Sequence, residues 1–349
     1  MSDQVPDWQT PAVRSPDASP ETALRTAAEL ADEVLLPAAM EVERTGQIPA
    51  SHLDALAAHG LYGLSGPPEA GGLGVDYATA CRVIEILASG CLSTAFVWLQ
   101  HHGAVRSVAA SGNADLREKW LGPLCRGERR AGLALAGAIP GPPMLRAQPV
   151  EGGYVYEGFS PWVTGWGLID TLHAAGRDPD GNVVWGLIEA SAGPTLSVEP
   201  LDLVAVMASR TVRADFRGCF VPIEQITISM PLEQWQEVDA SSLRSNGSLS
   251  LGLIARCCAL IGPSPLDDQL VTARADLDAG TAQTMPAARA AAAELAVRAS
   301  AALVVSAGSR SVLTDSPAQR LAREAMFLLV FGSRPSIKDS LLQLLTAAG

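Results

Sequence analysis

The chain has 349 residues, 48% of them hydrophobic, and a formal net charge of −12 at neutral pH. This length and composition predict a folded protein with a large core and two or three structural units. The acidic balance argues against a nucleic-acid partner or an anionic membrane surface, because phosphate binding needs a positive field.

The cysteine pattern favours buried, reduced thiols. The six cysteines are Cys81, Cys91, Cys125, Cys219, Cys257 and Cys258. No pair has CxxC spacing, so neither a zinc site nor a disulfide framework is indicated. The longest apolar run noted, residues 249–262, contains Arg256 and is too short to span a bilayer. We therefore expect a soluble, cytoplasmic protein.

The first 130 residues divide into a tail and a helical region. Residues 1–20 contain four prolines among polar residues, which predicts a disordered tail. Residues 21–130 show helical spacing and are interpreted as an N-terminal helical domain. The predicted helices cover residues 22–44 with a candidate kink at Pro37, 51–60 with a capping box at Asp54, 76–88, 93–110, and a shorter helix that Asn113 caps and that ends near Cys125.

Short extended runs replace the helical pattern in residues 131–228. The predicted strands cover residues 133–136, 154–157, 162–164, 171–174, 183–188, 196–198 and 212–221. Their spacing and the turn at residues 178–181 favour a compact antiparallel barrel or sandwich. The tripeptide Trp162-Val163-Thr164 places an aromatic ring and a hydroxyl together in the middle of this β-domain.

Helical spacing returns in residues 229–349, which we interpret as a C-terminal bundle. The predicted helices cover residues 249–261, 266–277, 287–307 and a last helix that begins at Ser316-Pro317. Glu294 and Arg298 are spaced for an i,i+4 ion pair on a solvated face.

Five separated segments, in this order, resemble the acyl-CoA dehydrogenase superfamily. They are Gly66-Pro-Pro-Glu-Ala-Gly-Gly-Leu-Gly74, Lys119-Trp-Leu-Gly-Pro-Leu-Cys-Arg-Gly-Glu128, residues 151–170 with Trp162-Val-Thr164, Arg217-Gly-Cys-Phe-Val-Pro222, and the region from Gly308 to Ala325. The resemblance implies an α+β, mainly α fold, with an N-terminal helical domain, a middle antiparallel β-barrel and a C-terminal four-helix bundle. It also implies oligomers that form through the bundle.

The resemblance further implies FAD between the β-domain and the bundle, with an acyl-CoA substrate. On this basis Trp162 lies against the isoalloxazine ring, and Thr164 places a hydroxyl near the reactive flavin nitrogen. Ser209 and Thr211 are similar to the family's Arg-Gly-Ser-x-Thr turn. Arg274 is similar to the arginine that reaches FAD across subunits.

Several family features are missing from the sequence. An acyl-CoA dehydrogenase needs a carboxylate to remove the substrate α-proton. One family position for this Glu falls at Phe331 or Gly332, and the other lies between Asp239 and Asp267, where no Asp or Glu occurs. The loop at residues 136–143 lacks the family's hydroxyls. No catalytic residue is therefore assigned.

Three functions remain open from the sequence. The first is a flavin-dependent oxidoreductase acting on an acyl-CoA thioester, as one subunit of a hetero-oligomer whose partner completes the FAD site and supplies the base. The second is a flavin monooxygenase of the same fold, which needs no α-proton base, although the sequence reveals no cluster of His and Arg for it. The third is a cofactor-free structural or binding subunit.

Overall fold

The computed structural model describes residues 19–347, except for the side chain of Ser241. The predicted tail lies outside this range up to residue 18. Its proposed end is wrong by two residues, because Ser19 caps the first helix and Pro20 belongs to it. The side chain of Ser19 accepts a hydrogen bond from the backbone N–H of Thr22, which satisfies one donor at the helix start.

The N-terminal part is helical, as the sequence predicts. Its helices are α1 (Pro20–Leu30), α2 (Leu36–Thr45), α3 (Ala50–Ala58), α4 (Tyr77–Gly90), α5 (Leu92–Ala109) and α6 (Ala114–Cys125). A π-helical turn, Ala31–Leu35, separates α1 from α2 just before Pro37, where the ring nitrogen has no hydrogen to donate. The predicted capping box is wrong, since α3 begins after Pro49 without a side-chain cap and Asp54 binds Arg130 instead.

The middle of the chain forms one eight-stranded sheet. Its strands are β1 (Ala131–Ala134), β2 (Leu145–Val150), β3 (Gly153–Val163), β4 (Thr171–Arg177), β5 (Asn182–Glu189), β6 (Leu196–Pro200), β7 (Val212–Pro222) and β8 (Ile226–Pro231). The path of neighbours is β6-β7-β3-β2-β4-β5-β8, and β1 pairs with β4.

The predicted antiparallel pairing is wrong in part, because β1 and β2 both run parallel to β4. Two predicted strands, residues 154–157 and 162–164, fall on the single strand β3, whose pairing with β7 shifts register twice. The sequence analysis missed β2 and β8. Each carries a proline, Pro149 or Pro231, a residue type that weakens a strand prediction.

The C-terminal part contains α7 (Leu232–Ile261), α8 (Pro265–Asp278), α9 (Met285–Ala307), α10 (Pro317–Val330) and α11 (Pro335–Thr346). Helix α7 packs against α4 on one side and α9 on the other, and α10 and α11 also pack on α9. The mainly helical α+β architecture is confirmed. Helix α7 begins well before its predicted start at residue 249, α11 was not predicted, and the domain boundaries remain predictions.

Three ion pairs join the N-terminal helices to the C-terminal ones. Arg274 binds Glu85, Arg323 binds Glu43, and Arg256 binds Asp32. Within the described residues, the segment Met285–Val312 is the one helix long and apolar enough to cross a membrane. Most of α9 packs against α7, α8, α10 and α11, as expected of the central helix of a bundle. The six cysteines are free and buried, as predicted.

Candidate active site

A cavity of about 920 Å³ lies where α5, the sheet, α7 and the end of α10 meet. This volume is at the upper end of the range for small-molecule sites in proteins. Helix α5 forms one wall through Phe96, Gln100, Gly103 and Ser107, which recur every three or four residues and so share one face of the helix. The sheet forms the opposite wall, and α7 with the segment after α10 completes the cavity.

Trp162 and Thr164 both line the cavity. The indole of Trp162 is 56% exposed, so a planar ring can stack on it without displacing the core. The hydroxyl of Thr164 lies 3.2 Å from that of Thr211, which lies 2.8 Å from that of Ser209. Thr211 also lines the cavity, whereas Ser209 is buried behind it.

One of these three hydroxyl groups has no acceptor within the chain, because the two hydrogen bonds use only two of the three O–H donors. Ser209 has no contact with solvent, so a leftover proton there would be an unsatisfied buried donor. Ser209 therefore donates to Thr211. The remaining O–H donor then belongs to Thr211 or Thr164, both of which line the cavity.

The segment that carries Ser209 has a strained backbone. Val206 and Arg210, on either side of it, have positive φ angles of 50° and 48°, which residues with a side chain rarely adopt. Two backbone bonds hold the segment against the tripeptide region: Gly165 N–H donates to Ser209 and Trp166 N–H donates to Arg210. Strain of this kind persists where surrounding contacts fix it, and it concentrates at functional sites.

An aromatic cluster surrounds Phe331, one of the two residues at which the sequence analysis places the family's Glu. Phe331 stacks on Phe327 with ring centroids 5.4 Å apart, and both meet Phe96 edge-on at 4.8 and 5.0 Å. All three rings line the cavity. They form an apolar wall at this end of the cavity.

Two arginines fix the backbone around Phe331. Arg289 on α9 is fully buried and donates to the carbonyls of Leu328 and Phe331 at 3.4 and 3.3 Å. Arg334 binds both carboxylate oxygens of Asp239 on α7, at 2.8 and 3.0 Å, and donates to the carbonyl of Gly332. Burial lowers the pKa of Arg289 to about 10, so it stays charged at neutral pH.

No Asp or Glu occurs among the described residues that line the cavity. Its titratable groups there are Arg106, Arg334 and His173, none of which the sequence analysis assigned to a site. Burial lowers the pKa of His173 to about 3, with a smaller contribution from the charge of Arg106. In the sequence His173 stands between Leu and Ala, which gives no indication of a site. Its position becomes visible only from the pairing of β4 with β1.

His101, by contrast, has a structural role. Its Nδ1 accepts from the backbone of Ala131 at 3.0 Å, and its Nε2 lies 3.0 Å from the carbonyl of Leu124. Both ring nitrogens are therefore used in joining α6 to β1. Burial lowers the pKa of His101 to about 4 and keeps the ring neutral.

Arg274 does not reach the cavity of its own chain. It lies on α8, and its guanidinium binds both oxygens of Glu85 at 2.6 and 3.1 Å. Glu85 is buried on α4 and also contacts Arg82. This intrachain partner explains the position of Arg274, and its role at the FAD of a neighbouring subunit remains a prediction.

The residues present fit the ring system of a flavin. The exposed indole of Trp162 offers a stacking surface, and Thr164 offers a hydrogen-bond donor at the cavity wall. The fit is weaker for the phosphates, because the loop at residues 136–143 has no side-chain hydroxyl or cation. Few backbone N–H groups are left for a phosphate there, because Ala138 and Ile139 donate to the carbonyl of Leu135 and the loop contains three prolines.

Comparison with known proteins agrees with this architecture. The family model described as "Acyl-CoA dehydrogenase, N-terminal domain" matches residues 19–128. Mitochondrial 2-methylacyl-CoA dehydrogenase from Solanum tuberosum is 27% identical over 211 residues. In sequence, residues 19–128 therefore match the acyl-CoA dehydrogenase family. The alignment with the Solanum protein covers 57% of this chain and 51% of that relative, so the chain matches about half of the relative's length.

Two solved structures share the superfamily fold with this chain. Butyryl-CoA dehydrogenase from Megasphaera elsdenii superposes with a TM-score of 0.80 at 16% identity, covering 99% of this chain and 100% of the other. A glutaryl-CoA dehydrogenase from Mycobacterium smegmatis, in complex with FADH2, gives a TM-score of 0.79 at 13% identity, with 94% of each chain covered. At these identities the likeness establishes the fold alone.

Proposed function

We propose that the chain is a subunit of a flavin-dependent oxidoreductase of the acyl-CoA dehydrogenase type. In this proposal the cavity binds the FAD ring and an acyl-CoA thioester, and a partner subunit completes the site in a hetero-oligomer. The observation that carries the proposal is the pairing of Trp162 and Thr164 on one wall with an aromatic cluster at Phe331 on another. In this proposal Trp162 and Thr164 keep their roles at the flavin, whereas the aromatic cluster takes the place of the family's glutamate base.

Trp162, Thr164 and Thr211 would hold the ring, and FAD, when bound, supplies the two-electron oxidation chemistry. Thr164 would donate its hydroxyl proton to the ring, and Trp162 would offer the surface on which the ring stacks. The FADH2 complex of the Mycobacterium glutaryl-CoA dehydrogenase supports this choice of cofactor. The cluster of Phe96, Phe327 and Phe331 keeps water away from the bound acyl group.

The described lining residues offer no base for removing an α-proton. A carboxylate is missing, a guanidinium offers donors and no acceptor, and His173, with a pKa of about 3, is too weak a base to compete for the proton. Dehydrogenation by this cavity therefore needs a proton acceptor from another chain. This requirement is the reason for proposing a partner subunit.

The experiment is to purify the chain alone and together with the product of a neighbouring gene of the same superfamily. Flavin absorbance and acyl-CoA-dependent dye reduction are then measured for each preparation. We expect stoichiometric FAD and activity only in the co-purified complex. A yellow, active homo-oligomer of this chain would contradict the need for a partner, and a colourless complex would contradict the flavin site.

A flavin monooxygenase is the second candidate. It is favoured by the absence of carboxylates from the described lining and by the presence of His173 and Arg106 in the cavity, which the sequence did not reveal. Such an enzyme binds reduced flavin, reacts with oxygen and needs no α-proton base. Oxygen consumption by the purified chain with added reduced FMN or FAD would support it over the dehydrogenase.

A cofactor-free binding or structural subunit is the third candidate, favoured by the loop at residues 136–143, which lacks polar side chains for a pyrophosphate. Failure to bind any flavin, alone or with a partner, would support it. For each candidate we propose assembly through the C-terminal bundle, where several large apolar side chains are exposed. They are Val305, Val312, Leu313, Met326 and Val330. A cytoplasmic location remains a prediction.

A further inference from the structure

His173 has a buried ring nitrogen without a hydrogen-bond partner. The residue is 3% exposed, and its ring stacks on Trp185 with centroids 4.5 Å apart. Its Nε2 lies 3.0 Å from the hydroxyl oxygen of Thr227, whereas its Nδ1 has no partner. A buried polar atom of this kind is costly unless something binds it, so it calls for an explanation.

The surrounding hydroxyls determine which nitrogen carries the proton. Ser107 donates its hydroxyl proton to Thr227 at 2.8 Å, and Thr227 donates its own to the carbonyl of Trp185 at 3.4 Å. The remaining lone pair on the Thr227 oxygen accepts a proton from Nε2 of His173. We therefore assign the ring proton to Nε2, which leaves Nδ1 as a free acceptor.

The free acceptor is buried beside a glycine of the cavity wall. His173, Gly103 and Ser107 all line the cavity. A methyl group added at Gly103 would lie 3.9 Å from Nδ1 and would meet nothing else within 4 Å. The missing side chain of Gly103 thus leaves an open niche beside the acceptor.

We propose that this niche, formed by Gly103, Ser107 and His173, is a subsite that recognises a hydrogen-bond donor, a hydroxyl or N–H group, on the ligand in the cavity. The low pKa of His173, caused by burial, keeps the ring neutral, so it does not attract a carboxylate. As one consequence, the cavity should bind an acyl group that ends in a hydrogen-bond donor more tightly than one that ends in a methyl group. The proposal rests on the proposed function, because that supplies the ligands of the cavity.

The hydrogen-bond donor can come from either of two ligands. One is the end of the acyl group, and the other is the flavin, through its ring or its ribityl chain. Straight-chain acyl-CoA esters of increasing length are therefore compared with their ω-hydroxy and ω-oxo counterparts by calorimetry, and FAD is titrated separately. We expect one ω-hydroxy ester to bind wild-type protein about tenfold tighter than its alkyl counterpart, the effect of one hydrogen bond to a buried acceptor.

Gly103→Ala is the decisive variant, because it fills the niche with one methyl group and leaves the His173 side chain in place. The methyl group meets only an ordinary contact, and alanine favours a helix more than glycine does, so the variant should be no less stable than the wild type. We expect it to lose the preference for the ω-hydroxy ester. Gly112→Ala, where the new methyl meets nothing within 4 Å, is the matched control and should keep that preference.

His173→Gln gives a second test, because its amide can still reach Thr227 while the acceptor at the Nδ1 position is lost. A ¹⁵N shift of Nδ1 in the wild type on ligand binding would report the new hydrogen bond directly. If Gly103→Ala weakens FAD binding and leaves acyl binding unchanged, the donor belongs to the flavin.

Two results would overturn the subsite while leaving the proposed function intact. One is binding of FAD and acyl-CoA with no ω-hydroxy preference and no effect of Gly103→Ala on either ligand. The other is a preference for the ω-oxo ester, which would show that Nδ1 carries the proton. If the wild-type chain, alone and with its partner, binds neither ligand, the proposed function fails together with the subsite.

Discussion

Phe331 meets Phe96 edge-to-face, with ring centroids 4.8 Å apart and an interplanar angle of 75°. This contact joins the segment after α10 to α5 across one end of the cavity. The resemblance places the family's glutamate at Phe331 or Gly332, so the proposed function has the aromatic contact in place of the group that takes a proton. The replacement can be reversed by a single substitution.

Phe331→Glu is expected to create dehydrogenase activity if the rest of the site binds FAD and an acyl thioester. The carboxyl group would lie among phenyl rings, so burial should raise its pKa and activity should increase with pH as it ionises. We also expect a loss of about 3 kcal/mol in unfolding free energy. Acyl-CoA-dependent dye reduction over a pH series measures the first effect, and chemical denaturation measures the second.

Phe331→Gln is the matched control, because it brings similar volume and polarity without a base. It should remain inactive at every pH. Equal activity in both variants would show that the new group does not act as the proton acceptor.

Thr164→Val should weaken FAD binding by about fivefold, the equivalent of one hydrogen bond of about 1 kcal/mol. The substitution removes the hydroxyl that ends the chain from Ser209 and Thr211, but it keeps the shape of the side chain. Thr164→Ser, which keeps the hydroxyl, should bind like the wild type. Titration of apoprotein with FAD, followed by flavin fluorescence, measures both affinities, and a Val variant with wild-type affinity would remove Thr164 from the site.

The sequence predicts the architecture better than the site. Helix spacing, caps such as Asn113 and the order of separated motifs are local signals, and they led to the right fold class. The direction of β1 relative to β4 is not local, because it depends on where the chain returns after α6. The first half of α7, residues 232–248, was missed because it is polar and contains glycine and several serines, which are weak helix formers.

The candidate site shows the same division. Trp162 and Thr164 belong to a motif that can be read along the chain. His173 and Gly103 lie on different elements, and they come together only when α5 packs across the sheet. No spacing in the sequence connects them, and the orphan nitrogen becomes visible only once the three hydrogen bonds around Thr227 are known.

Arg274→Gln separates the structural role of this arginine from its predicted role at FAD. It leaves the buried carboxylate of Glu85 with Arg82 as its remaining charged neighbour, so we expect the unfolding free energy to fall by about 2 kcal/mol. Arg298→Gln, which breaks an exposed pair with Glu294, should cost less than about 0.5 kcal/mol. An Arg274 variant that keeps its stability but loses FAD would instead support a role across subunits.

Glu324 should make the stability of the protein depend on pH. Burial raises its pKa from 4.5 to about 7, and Arg320 opposes this only in part. The folded state therefore holds the proton more tightly than the unfolded state. Stability from this group is complete below pH 4.5 and is lost as the pH rises toward 7.

Glu324→Gln should flatten the pH dependence of the unfolding free energy in that window, because glutamine does not titrate. Urea denaturation at several pH values measures it. The prediction fails if the variant and the wild type have the same slope between these pH values.

Val330→Glu should disrupt assembly through the C-terminal bundle. Val330 is 70% exposed on α10, and Met326, one turn earlier, is 47% exposed; both also line the edge of the cavity. Burying a new charge in an interface costs several kcal/mol, so association should weaken by roughly a hundredfold or more. Light scattering after gel filtration measures the assembly.

Ile223→Glu is the control, because Ile223 is 54% exposed but lies beside the sheet, after β7, so this variant should keep the wild-type mass. A Val330 variant that also keeps that mass would place the interface elsewhere.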